Sequence, residues 1–194
     1  TTGTGRIDQY GGSILVGQNA SFAGTSNLTG GTLAIGGSFT QLGTTSFQAA
    51  GGVLGGPAGH TTRFTNPTVP QTVSFAAPDT TFDGSGSHFG ILEMGASGGV
   101  VELLTDAAVQ GTFQSGDISA PTLTGTRTLF TRGLNQNGIT IDGTLLVLLD
   151  GEAGQYLNFS GATFRNQPAN ETRFWIRRSD FTLTFYSLTF EGTP

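Results

Sequence analysis

The chain has 194 residues, a formal net charge of −5, 32 glycines, seven prolines and no cysteine. Glycine without a three-residue period excludes collagen, and 49 Leu, Ile, Val and Phe residues exclude a chain too polar to build a core. The missing cysteine excludes a disulfide-stapled miniature, and an acidic balance with eight arginines and no lysine argues against nucleic acid, which needs clustered cations.

Glycine, threonine and serine together fill 77 positions. Glycine and β-branched threonine are poor helix formers, so short strands joined by many turns are expected throughout. Near the N-terminus, Gly11-Gly12-Ser13-Ile14-Leu15-Val16-Gly17 is echoed by Gly30-Gly31-Thr32-Leu33-Ala34-Ile35-Gly36, 19 residues later. The echo continues as Ala20-Ser21-Phe22 against Gly37-Ser38-Phe39, two residues closer. A third Gly-Gly turn opens Gly51-Gly52-Val53-Leu54-Gly55. Four prolines then fall between Pro57 and Pro78, which marks 57–90 as an irregular, loop-rich stretch.

Beyond it, Gly90-Ile91-Leu92-Glu93-Met94, Val100-Val101-Glu102-Leu103-Leu104, Ala108-Val109-Gln110-Gly111-Thr112-Phe113 and Ile139-Thr140-Ile141-Asp142-Gly143-Thr144-Leu145 resume the pattern. At the C-terminal end, Leu157-Asn158-Phe159 with Thr163-Phe164 is repeated as Leu183-Thr184-Phe185 with Thr189-Phe190, offset by 26. Phe181, Leu183 and Phe185 share one parity, and Thr182, Thr184 and Tyr186 the other, the period of a half-buried strand.

Imperfect repeats of this length cannot bury an apolar side alone, so each is expected to form one coil stacked on the next. The expected fold is all-β: a right-handed parallel β-helix, one domain over residues 1–194, with about nine coils. The alternatives are an antiparallel β-sandwich, whose strands pair with hairpin neighbours instead, and two sub-stacks divided within 57–90.

The Gly-Gly-Thr-Leu, Gly-Thr-Phe and Gly-Thr-Leu steps, with Gln71-Thr72-Val73-Ser74-Phe75 and Asn158-Phe159-Ser160-Gly161-Ala162-Thr163-Phe164, carry a resemblance across most of the chain. It resembles the right-handed β-helix repeats of secreted bacterial surface proteins of the filamentous-haemagglutinin and autotransporter-passenger kind. The resemblance implies an extracellular rod, often a segment of a longer chain, serving adhesion, matrix or cell-surface structure. It carries no shared catalytic residues.

The acidic pairs Asp79 with Asp83, Glu102 with Asp106, and Asp150 with Glu152 are the candidates for glycosidase chemistry, which needs two facing carboxylates. Their settings read as turn or solvated carboxylates. His88, in Gly86-Ser87-His88-Phe89-Gly90, and His60 read as loop or corner residues. No spacing supports a metal site or a cofactor, and no nucleophile elbow is present. Around the only tryptophan, alternation in Thr172-Arg173-Phe174-Trp175-Ile176-Arg177-Arg178 sends Phe174 and Ile176 inward. Arg173, Trp175 and Arg177 then point outward together, a possible sugar or protein contact. The longest apolar run, Leu145 to Leu149, is far too short to span a membrane as a helix.

The functional expectation is a non-enzymatic, extracellular structural or adhesive module of a bacterial cell surface. Its partners would be other protein subunits, cell-surface components or glycans, with oligomers or filaments formed through the open solenoid ends. A carbohydrate-binding or carbohydrate-active β-helix and a subunit of a larger complex are the alternatives.

Overall fold

The computed structural model describes residues 5–43, 45–52, 56, 58–115, 120–152, 155, 157–167, 173–177 and 184–191. Val53-Leu54-Gly55 of the third Gly-Gly turn, Phe181 with Leu183, and Thr172 with Arg178 lie outside those residues. Among the described residues there is no helix, and every strand pairing is parallel. The strands stack as a β-solenoid of about seven turns. An antiparallel sandwich is thereby excluded, since strands pair with a segment one repeat away and not with a hairpin neighbour.

Each turn visits three faces. The third face is an eight-stranded sheet that begins with Ala20–Phe22 and Phe39–Gln41 and ends with Thr163–Arg165 and Thr189–Glu191. A ten-stranded sheet bends to form the other two. In strand Thr128–Asn137 the first half pairs with Leu146–Leu149 and the second half with Leu157–Ser160, so the bend lies within one strand. Register shifts at Gln9/Tyr10/Ser13 and at Thr131/Gly133 mark that corner. Gly12 and Gly31 turn it with φ of 68° and 87°, a region that L side chains avoid.

Alternation decides which side chains enter. On the second face, Ile14, Leu33, Thr62, Leu92, Phe113, Leu134 and Leu157 lie one upon another, all facing inward. Their neighbours face out and pair across coils: Arg63 Nε meets Glu93 Oε1 at 2.7 Å, and Gln114 Nε2 donates to Glu93 Oε2 at 2.8 Å. Two phenylalanine clusters fill the core. Phe39 contacts Phe22, Phe47, Phe75 and Phe89 with centroids 4.9–5.4 Å apart, and Phe159, Phe164, Phe174, Phe185 and Phe190 form the second. Buried glutamines close the corners by binding backbone groups that the turns would leave unpaired. Gln41 Nε2 donates to the Gly43 and Thr45 carbonyls while its Oε1 accepts from Ala76 N; Gln71 Nε2 donates to Ile35 and Gly37.

The 19-residue echo is the register: Ser13 lies on Thr32 and Val16 on Ile35. The 26-residue repeat likewise places Phe159 on Phe185 and Phe164 on Phe190. Two expectations are corrected. Ala20 pairs with Phe39, not Gly37, because the stacked coils keep the 19-residue register and Gly37 stays in the corner. The nine expected coils are about seven because insertions lengthen the middle coils. Leu28 lies on Ala49, yet Thr32 lies on Thr61, so the chain leaves the ladder near Gly52 and rejoins at Gly59. Pro78 bridges Ser87, which closes the second excursion, 79–86. Between the two the offset grows again, from 29 residues at Ile35–Phe64 to 34 at Phe39–Val73, so a third insertion lies at 65–70, while strands Thr61–Phe64 and Gln71–Phe75 of the stretch 57–90 stay in the ladder.

Candidate functional site

The outer surface of the first face sinks into a cleft of about 570 Å³. Its floor is built from successive coils: Asn27 and Leu28, then Gln48 and Ala49, then His88, then Gln110. Leu28 and Ala49 are buried in the floor, and the surface that meets solvent is polar and apolar in about equal parts.

One wall is the strap 79–86, which runs over the first face toward the C-terminal coils. It is anchored from beneath by Asp79, whose side chain is fully buried. Asp79 Oδ2 accepts from Gly84 N at 2.9 Å and from Gln110 Nε2 at 2.5 Å, and Oδ1 accepts from Thr81 Oγ1. Gln48 Nε2 donates to the Gly84 carbonyl and Arg132 to the Phe82 carbonyl. The Phe82 ring lies between the guanidiniums of Arg132 and Arg177, 5.2 and 5.7 Å away, a cation–π clamp that fixes the far end of the strap.

The opposite wall is the segment Ala50-Gly51-Gly52. It crosses so close to neighbouring coils that a Cβ on Gly90 would stand 2.1 Å from the Ala50 oxygen, and one on Gly51 2.8 Å from the Gln110 backbone. Gln155 holds this wall by donating to the Gly52 carbonyl at 2.9 Å, and its Oε1 accepts from Thr112 Oγ1. Arg132 and Glu152 close one end as an ion pair at 2.9 Å.

Both histidines differ from plain loop residues. His88 is buried at the cleft floor with Nδ1 3.0 Å from the Gly86 carbonyl and 3.8 Å from Asp79 Oδ2. Desolvation lowers its pKa from the ordinary value, so the ring is neutral near pH 7 with Nδ1 as the donor. His60 is fully buried at the corner where the first excursion rejoins, with Nε2 3.0 Å from Gln9 Oε1. Gln9 Nε2 donates to the Gly12 and Thr32 carbonyls, so Oε1 is the amide acceptor and Nε2 of His60 carries the proton. Burial pushes the His60 pKa down to about 4.

The acidic pairs separate. Asp79 is buried while Asp83 is exposed and caps Ser85 N, an arrangement whose hydrogen bonds hold its pKa below the usual range. Glu102 is exposed on the third face, and Asp106 accepts from Thr128 N at a corner. Asp150 binds Arg177 and Glu152 binds Arg132. Asp79 has its oxygens occupied and sealed under the strap, so Glu152 is the one carboxylate lining the cleft among the described residues. That arrangement offers hydrogen bonding to a ligand, and no opposed pair for acid–base cleavage of one.

The tryptophan segment lies elsewhere. Trp175 lies over Leu148 and is exposed, and Phe174 packs inward on Phe159. Arg177 turns away from a shared outward platform to pair with Asp150 and cover Phe82. The backbone carbonyl of Arg173 accepts from Val147 N in the ladder. Sequence reasoning missed Gln48, Gln110, Arg132 and Gln155, because only the coil register brings them to one cleft. No helix among the described residues is long and apolar enough to cross a membrane. No family model matches the chain, and neither a curated protein nor a solved structure similar to it was found.

Proposed function

We propose that the chain is a non-enzymatic structural module of an extracellular, bacterial cell-surface β-solenoid assembly, in which copies join end to end. The observation that carries this reading is the aromatic end of the rod. Phe164, Phe174, Ile176, Phe185, Leu188 and Phe190 surround an apolar cavity of about 270 Å³ at the last described coil. Phe190 is 65% exposed and Phe185 39%, although their parity is that of the core.

The first coil presents the complement. Ile7, Ile14, Val16 and Phe22 occupy inward positions and are only partly buried. Both ends share the same three faces and the same strand direction, so a second copy stacked head to tail would continue the ladder and cover both apolar ends. A head-to-tail contact that does not close on itself propagates as a filament. The outward Thr and Ser positions, the absence of cysteine and the resemblance to secreted repeats support an extracellular, adhesive or matrix role.

Sedimentation velocity over a concentration series tests the association. The intact protein should form larger species as concentration rises, and Phe190→Asp with Phe185→Ser should hold it monomeric. A wild-type chain that stays monomeric to its solubility limit overturns end-to-end assembly. Surface labelling of intact source cells that leaves the protein unreacted overturns the location.

A further inference from the structure

We propose that the cleft on the first face binds a short neutral oligosaccharide laid along the solenoid axis. Four amide side chains line it, Asn27, Gln48, Gln110 and Gln155. Each has two N–H groups and a carbonyl oxygen; the protein engages one N–H of each, with Tyr10 Oη, the Gly84 carbonyl, Asp79 and the Gly52 carbonyl respectively, and in Gln155 the oxygen as well, through Thr112. Paired donors and acceptors on one rigid surface match vicinal hydroxyls, which offer both from every carbon.

Charge narrows the class. The cleft's charged groups that reach solvent, Arg132 and Glu152, neutralise each other at 2.9 Å, and the floor histidine is neutral. An anionic ligand would have to break that pair to find a cation. The floor's apolar side chains offer little to a purely apolar ligand, since Leu28 and Ala49 are 2% exposed. The exposed lining is polar and apolar in about equal parts, which suits a sugar ring and its hydroxyls. Size agrees: about 570 Å³ lies within the ordinary range for small-ligand sites, roughly 300–1,000 Å³.

The geometry also sets direction. Asn27, Gln48 and His88 stand on consecutive coils, with Asn27 one residue before the Leu28–Ala49 bridge and Gln48 bridged to His88. Polar groups therefore recur at about 4.8 Å, the strand spacing, close to the length of one pyranose unit in a chain. Exposed Tyr10, whose hydroxyl accepts from Asn27 of the lining, adds a ring beside Asn27 on which a sugar can stack. The floor and both walls are held by backbone ladder and buried anchors, so little ordering is required on binding.

The test uses the intact protein against maltohexaose, cellohexaose, mannohexaose and xylohexaose, with hexagalacturonate and a polyalanine-based peptide as charged and peptidic probes. Isothermal titration or affinity electrophoresis reads binding. At least one neutral hexamer should bind, Asn27→Ala should weaken it about tenfold, as expected for one hydrogen-bonding amide and its link to Tyr10, and Thr29→Trp should abolish it by filling the cleft. Thr29 is exposed and Asn27 anchors no wall, so both variants should keep the wild-type circular dichroism and melting temperature. The proposal is overturned if no neutral hexamer binds, if hexagalacturonate or the peptide binds better, or if neither variant changes the binding.

Discussion

Gly90 is glycine because another strand of backbone occupies the place of its side chain. A methyl there meets the carbonyls of Ala50 and His60 at 2.1 and 2.7 Å, and neither carbonyl is free to move, since His60 N and Ile91 N bind them. Gly90→Ala should therefore destabilise the protein by about 2–4 kcal/mol in chemical denaturation, in the range of overpacked cores. Gly84 provides the contrast. It has φ of 79° but nothing within 4 Å of a Cβ, so Gly84→Ala should cost only about 1 kcal/mol, from backbone conformation alone. His60 makes a different prediction. Its folded pKa of about 4 lies below its ordinary 6.5, so the unfolded chain binds more protons between those values. Stability should be constant above pH 6.5 and fall as pH drops toward 4, with the melting temperature of His60→Gln losing part of that slope. An unchanged slope in the variant would assign the acid sensitivity to other groups.

Among elements, the strap 79–86 depends most on one residue. Asp79 gathers Gly84 N, Gln110 Nε2 and Thr81 Oγ1, all of them donors. In Asp79→Ala all three donors lose their acceptor, Gly84 N and Gln110 Nε2 among them, under the strap. The strap should open while the ladder persists: protease cleavage within 80–86 should rise sharply, and global stability should fall by about 1–3 kcal/mol. Here the sequence was legible only in part. The stretch 57–90 stands out by its prolines, but nothing in Pro78-Asp79-Thr80-Thr81 distinguishes a buried anchor from a solvated turn. The difference comes from Gln110, 31 residues away and two coils on, and a single sequence does not reveal which coils become neighbours when their lengths vary. Short strands with clean repeats were read correctly because Ser13–Val16 and Thr32–Ile35 differ by a constant offset. Where the offset changes, as between Phe39 and Val73, periodicity loses the register.

For the whole molecule, contacts connect each coil mainly with its two neighbours, the hallmark of a quasi-one-dimensional fold. Stability is then a sum along the axis, and the central coils, covered on both sides, should be the last to open. Amide exchange should show its strongest protection in strands such as Val100–Leu103 and Ala107–Gln114, falling toward Arg6–Val16 and Thr189–Glu191. Uniform protection from end to end would instead indicate all-or-none unfolding. The same linear order explains why a resemblance of repeat texture was enough to read the architecture. Function needs more, because the cleft and the aromatic end are made by departures from the repeat.

The unequal coils have a mechanical meaning. Under tension applied at its two ends, a stacked coil yields by peeling, and each coil that peels releases its own length of chain. The turn from Leu123 to Ile141 would release a short tether, while the one from Phe39 to Val73, with its excursion, would release nearly twice as much. A rod built this way lengthens in uneven steps, with its largest reserve of slack stored near the cleft.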